Sequence, residues 1–321
     1  MNILHKTILT SSILSISNIA FAQKRDSIPQ KVTAYVAEKF PIARDFNVEF
    51  TQLTPYKFSS QLHGADLPEN KVDHFSQVKV SSNINFIKTQ KWVLSTTLNY
   101  RYTSLNTENS ISDHRKNNYF HYHSETLSFT YFSKLFNKMT IYSASFSVDG
   151  SDEHFERMRG MVTGTMILKA NAKTKMTVGL VGIIDPSTQI PIIPTFSYEH
   201  TFDNGLIADI ILPKRVLIKK NVSENGRISL GSEMENTSFY IYDSDKKYEF
   251  RQLEINSGAI YEHKIGSFIG TLKTGIRTVP NARIFEKNES FKNYFFEASP
   301  KTSFYFNVGV SYNPFGKYKA K

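Results

Sequence analysis

The sequence predicts an all-β fold, a transmembrane antiparallel β-barrel of about 12 to 14 strands behind a cleaved signal peptide, and three observations carry that prediction. Apolar and polar residues alternate with period two through most of the chain. The alternating segments often run to about ten residues, the length of a tilted membrane crossing, whereas soluble strands centre on ~5 to 6. Short turns alternate with longer polar loops, as in a barrel whose turns lie at one end and whose loops lie at the other.

Residues 1–22 read as a secretory leader, with His5 and Lys6 at a short polar start, a moderately apolar stretch over 8–19, and Ala20-Phe21-Ala22 as the cleavage signal. Residues 23–44 form a periplasmic segment with one amphipathic stretch, 30–39, and the barrel is expected over 45–321. In 72–86, Val72, Val78, Val80, Ile84 and Phe86 share a face, and Lys79, Ser81, Asn83 and Asn85 occupy the other. Past a turn at 88–90, Trp92, Leu94, Leu98, Tyr100 and Tyr102 alternate with Ser95, Thr97, Asn99 and Arg101, which makes a long hairpin. The same grammar pairs 127–131 with 142–148, 162–169 with 176–184, and 193–202 with 206–212, the last through Asp203-Asn204-Gly205. The run 213–220 reads as a strand, a bend or an inward-folded loop, and 227–242 is mixed. Segments 253–262 and 268–277 form another hairpin, and Phe304, Phe306, Val308, Val310 and Tyr312 close the chain as a final strand. Long polar loops are expected at 53–70, 104–119, 149–159 and 279–301.

Composition agrees and excludes several classes. The 321 residues carry 39 Lys and Arg against 29 Asp and Glu, a net charge of +10, and no cysteine. That removes disulfide frameworks, thiolate metal sites and cysteine nucleophiles. Aromatic residues at 13% are too many for a disordered chain, and a negative mean hydropathy argues against a bundle of membrane helices. The basic residues are scattered rather than gathered into a stripe, which argues against nucleic acid as a partner and for anionic lipid headgroups or phosphate. Aromatics near strand ends fit an interfacial girdle, and small polar residues on the opposite faces fit a solvated lumen.

The stretch Ile207-Ala208-Asp209-Ile210-Ile211-Leu212-Pro213-Lys214, followed by Arg227-Ile228-Ser229-Leu230-Gly231 and the closing 304–312 strand, resembles an uncharacterised family of outer-membrane β-barrels from Bacteroidota, described as a domain of unknown function. The resemblance implies a barrel in the cell outer membrane, in contact with lipid and lipopolysaccharide, and brings no catalytic residue or cofactor with it.

Charged positions expected on the lumen face are Asp73, Lys79, Arg101, Lys169, Glu254, Glu262, Lys273 and Arg277. Five are basic and three acidic, a balance that lowers the barrier for anions in a confined pore, unless the charges pair and brace a closed barrel. Enzymatic alternatives rest on common residues. Asp149, Asp152, Glu153, His154, Glu156 and Arg157, with Asp113-His114, supply the residue types of a carboxylate–histidine hydrolase. His74-Phe75-Ser76 and His121-Tyr122-His123-Ser124 supply those of a lipid-facing serine hydrolase, without its sequence context. His121 and His123 share a strand face but lack a third metal ligand. The expected function is therefore a passive pore or carrier for small solutes, with anions favoured by the lining and no cofactor or metal. An outer-membrane hydrolase and a structural or adhesive barrel are the alternatives.

Overall fold

A computed structural model describes residues 43–108, 117–243 and 246–314; the leader 1–22 and the 30–39 stretch lie outside them. The described residues form sixteen strands and no helix: β1 (Phe46–Leu53), β2 (Tyr56–Leu62), β3 (Ala65–Lys88), β4 (Trp92–Thr107), β5 (Asn117–Leu135), β6 (Lys138–Gly150), β7 (Phe155–Ala170), β8 (Thr174–Ile184), β9 (Ile192–Thr201), β10 (Leu206–Leu212), β11 (Arg215–Asn221), β12 (Gly226–Asp243), β13 (Lys246–Ile265), β14 (Phe268–Glu286), β15 (Tyr294–Pro300) and β16 (Ser303–Tyr312).

Fourteen of them close a ring, β1-β16-β14 and then down in order to β3, which pairs back with β1. The remaining two continue the ends of the ring. β1 and β2 pair with β3 along one line, Leu53 opposite Phe75 and Tyr56 opposite Val72, so they are one crossing interrupted at Thr54-Pro55. β15 and β16 are likewise one crossing interrupted at Lys301-Thr302, and the two gaps face each other. The backbone bridges them: the Thr54 amide donates to the Phe304 carbonyl at 3.0 Å and the Lys301 amide to that of Lys57 at 2.8 Å. The strand number is thus fourteen. Segment 213–220 resolves into β11, joined to β10 by a tight turn at Pro213-Lys214, and the mixed 227–242 stretch is the single strand β12.

The outer face explains the alternation. Val48, Leu127, Leu180, Ile218, Leu230, Val308 and Val310 all point outward and are exposed, Leu230 to 58% and Val310 to 52%. Their chain neighbours Asn47, Thr126, Gly179, Leu217, Ser229, Asn307 and Ser311 turn toward the interior, where Ser and Thr hydroxyls pair across strands, as in Thr126–Ser147 and Thr177–Ser197. An apolar exterior around a polar interior is the inverse of a soluble fold, in which the apolar face is buried. At the end with the termini and short turns, Phe46, Tyr312 and Phe268 stack in a row and Trp92 lies against Phe129, part of an aromatic collar.

The expected long loops at 53–70 and 279–301 are largely strand. Five neighbouring strands are irregular at one height: β13 bulges between Leu253 and Ile255, β14 carries Pro280, β15/β16 and β1/β2 are broken, and β3 bulges between Val72 and His74. Pro lacks the amide that a ladder needs, and bulges bend a strand, so together these positions form a crease. Beyond it, the upper parts of β12, β13 and β14 join β15, β2 and the start of β3 in a six-stranded canopy that bends over the barrel mouth. An apolar core fills the fold of the crease, built on Leu53, Phe58, Val72, Phe75, Ala282, Ala298 and Tyr305. Below it the wall is tightly curved. Gly231, Gly258 and Gly275 pair in a line across three strands, and a Cβ on Gly258 would stand 2.6 Å from the Gly275 Cα.

Candidate functional site: a roofed cationic cavity

β12 and β5 stand seven places apart in a ring of fourteen, on opposite walls, yet their upper ends touch. Above Glu233 the edge of β12 has no β11 partner, because β11 ends at Arg215. The freed edge crosses the mouth, and Phe239 stacks on Phe120 of β5 at 3.9 Å between ring centroids, with Phe250 of β13 behind it at 4.5 Å. Tyr240 lies along Tyr122 and donates its hydroxyl proton to Asp149 on β6.

Charges latch the canopy to the far wall. Arg157 of β7 is paired with Glu249 of β13, both fully buried, and donates to the Ser187 hydroxyl at 2.6 Å. Arg251 of β13 reaches the same hydroxyl at 2.9 Å and Glu249 at 2.6 Å. Ser187 in turn donates its amide and hydroxyl to Asp185, each at 2.9 Å. Burial alone would raise the Asp185 carboxyl, but the Ser187 amide and the guanidinium groups of Arg157 and Arg159 outweigh it and hold its pKa below the usual range. At the outer tip, Glu156 accepts from Tyr242 at 3.1 Å, Lys247 at 3.0 Å and Lys287 at 2.5 Å. Glu69 clamps the canopy's opposite corner between Lys57 and Lys301, whose hydrogen bonds bring its carboxyl down to about 2.

Beneath the roof lies a cavity of about 720 Å³ that reaches the rim at the exposed Lys214. Nine basic and four acidic side chains line it among the described residues. Glu262 holds both Arg44 (2.5 Å) and Arg227 (2.7 Å), and Asp209, just behind the lining, holds both Lys219 (2.5 Å) and Arg215 (2.6 Å). Lys273 pairs with Glu233 at 3.0 Å and Lys79 with Glu235. Arg277, stacked on Phe75, lies 3.3 Å from the buried Glu254. Arg101 sits over the Tyr122 ring at 5.2 Å, with the Ser238 carbonyl 3.5 Å away and no carboxylate in salt-bridge range among the described residues.

Of the lumen positions read from the sequence, Lys79, Arg101, Glu262, Lys273 and Arg277 come together around this cavity, and Glu254 lies behind Arg277. Lys169 does not join them. A bulge between Ile167 and Lys169 shifts the register, and Lys169 is exposed near the short-turn end of β7. Asp73 sits at the β3 bulge, paired outward with Lys71 at 2.8 Å. Alternation missed Arg215, Lys219 and Asp209, because β10 and β11 were short and the Leu212-Pro213 boundary broke the pattern. The hydrolase constellations are otherwise engaged: Asp149 and Glu156 are latch carboxylates, His154 lies edge-on to Tyr242, and His121 faces outward, paired with Tyr100 at 2.9 Å. Asp113 and His114 lie outside the described residues.

A family model for a domain of unknown function, DUF6268, matches residues 32–313. No curated protein matches the sequence. Among solved structures the chain is similar to an outer membrane channel from Pseudomonas putida F1, with 8% identity over 86% of this chain and 97% of that one and a TM-score of 0.38. It is also similar to a FadL homologue from Pseudomonas aeruginosa (8% identity, 84% and 89% covered, TM-score 0.28) and to the outer membrane protease OmpT from Escherichia coli (9% identity, 86% and 99% covered, TM-score 0.26). At these TM-scores, the likeness carries no functional conclusion.

Proposed function

We propose, from the premise that this chain belongs to the DUF6268 family, that it is an outer-membrane β-barrel that carries small anionic solutes through a lumen closed by its own canopy. The observation that supports this reading most is the roofed cavity, whose basic side chains outnumber its acidic ones. In a confined, low-dielectric lumen such a lining attracts anions and repels cations. The exposed apolar exterior and aromatic collar fit a lipid environment, with lipid and lipopolysaccharide around the wall. Export by the 1–22 leader, termini in the periplasm, the canopy facing outward and a source among the Bacteroidota belong to the same proposal.

The test is single-channel recording of the folded, detergent-purified protein in a planar bilayer under a salt gradient. The expected result is brief, infrequent openings with a reversal potential favouring chloride, because the roof is latched. A heat-modifiable, folded barrel that passes no current even when its latch is broken would overturn the carrier reading.

A further inference from the structure

The charges around the cavity do not balance. Counting the two carboxylates just behind the lining, Asp209 and Glu254, nine cations face six anions among the described residues, a surplus of three. The surplus follows from how the carboxylates are shared: two of them serve two cations each, Arg101 and the rim Lys214 have none among the described residues, and Glu49, held by Asn47 and Asn307, offsets one of these four. The buried Arg277 Nη1 and Arg215 Nε also lack a hydrogen-bond acceptor. Uncompensated cations in a roofed space are costly, and a bound anion with several acceptor oxygens offsets that cost. A neutral solute would leave the surplus untouched and a monovalent anion would cancel a third of it. The volume lies within the ~300–1,000 Å³ of small-molecule sites.

We propose that the cavity binds a compact oxyanion carrying two or three negative charges, with Arg101 as its principal ligand. The inference rests on the anion-carrier reading above and names its substrate class. Arg101 is the natural anchor, because its planar fork is held in place by the Tyr122 ring while it forms no salt bridge with a carboxylate among the described residues. Lys214, exposed at the rim, provides the first contact for an entering anion.

The experiment is isothermal titration of the detergent-solubilised full barrel with inorganic pyrophosphate, and with acetate and chloride as monovalent probes, at low ionic strength. Pyrophosphate is expected to bind at least about tenfold tighter than acetate, and Arg101→Gln to weaken it by about tenfold, the scale of one charge-assisted contact. Removing Arg101 breaks no salt bridge among the described residues, and Glu235, a carboxylate within its electrostatic reach, keeps its bond to Lys79. Lys169→Gln removes the same charge far from the cavity and is expected to leave binding unchanged. Should Arg101→Gln fail to assemble, Lys214→Gln at the exposed rim tests the same site, with a loss of about threefold expected. Pyrophosphate binding no tighter than acetate, or a cavity variant indistinguishable from Lys169→Gln, overturns the proposal. Conductance separates the two readings: chloride current without pyrophosphate preference sinks the oxyanion site and leaves the carrier, whereas tight pyrophosphate binding without current or flux sinks the carrier and leaves the site.

Discussion

Arg157 and Glu249 stake the closed mouth on one buried contact. Neither side chain reaches water, and although Arg251 also holds Glu249 at 2.6 Å, the Arg157–Glu249 pair is the fully buried one that joins a wall strand to a canopy strand. Glu249→Gln removes the negative partner and leaves Arg157 with Asp185 at 3.6 Å as its nearest counter-charge. The expected cost is about 3 to 5 kcal/mol, the range for breaking a buried pair from one side. It falls on canopy docking, because the wall strands keep their ladders. The measurement is single-channel open probability, expected to rise by at least tenfold while heat-modifiable mobility of the barrel stays intact. An unchanged open probability would mean the roof is held by its other contacts, the Glu156 cluster, the Tyr240–Asp149 bond and the aromatic stack.

The crease shows how much of an element can be read in one dimension. Period-two alternation finds β3 to β6, β13, β14 and β16 because each has one face toward solvent-like polarity and one toward the apolar exterior, for most of its length. It fails above the crease, where the canopy strands have one face on a core of Leu53, Phe58 and Phe75 and the other outside the barrel, so the polar stretches 53–70 and 279–301 resembled loops. That the prolines at 55, 280 and 300 lie at one height on adjacent strands depends on register, which a single sequence does not display. The loop between β8 and β9 carries its own prediction through Asp185. Its folded pKa lies below the ordinary carboxylate value of about 3.9, so its contribution is complete above that value and is lost as pH falls through the lowered folded value. The canopy is therefore expected to stay shut from pH 7 to pH 5 and to loosen below about pH 4, read as rising open probability. Asp185→Asn should weaken that acid response, which it shares with Glu156, whose carboxyl burial alone would raise but whose lysine partners hold low; a roof that loosens at pH 6 would point to another group.

At the scale of the whole molecule, an inside-out distribution of polarity leaves a direct signature. Leu230 and Ser229 are neighbours on β12, one outward and 58% exposed, the other buried against the lumen. Leu230→Arg should cost about 2 to 4 kcal/mol of stability in a lipid bilayer, measured by denaturant titration of the refolded barrel. In a soluble sandwich the same change at so exposed a position would cost within about 0.5 kcal/mol, so the result discriminates the two environments. The lumen site was partly legible for a related reason. Lys79, Arg101, Lys273 and Arg277 sit on long, regular strands whose inward parity could be counted, whereas one bulge was enough to carry Lys169 out of the set. How the carboxylates are divided among the cations is decided by pairs more than a hundred residues apart, such as Lys79 with Glu235 and Arg44 with Glu262. The place where the ring joins itself has a further consequence for biogenesis. β2 and β15 contribute adjacent strands to the canopy, and they come from the two ends of the chain. The roof thus has no continuous sheet until the first and last crossings have met. An unfinished barrel is a leak in the membrane, and in this chain the event that completes the wall also supplies the stopper.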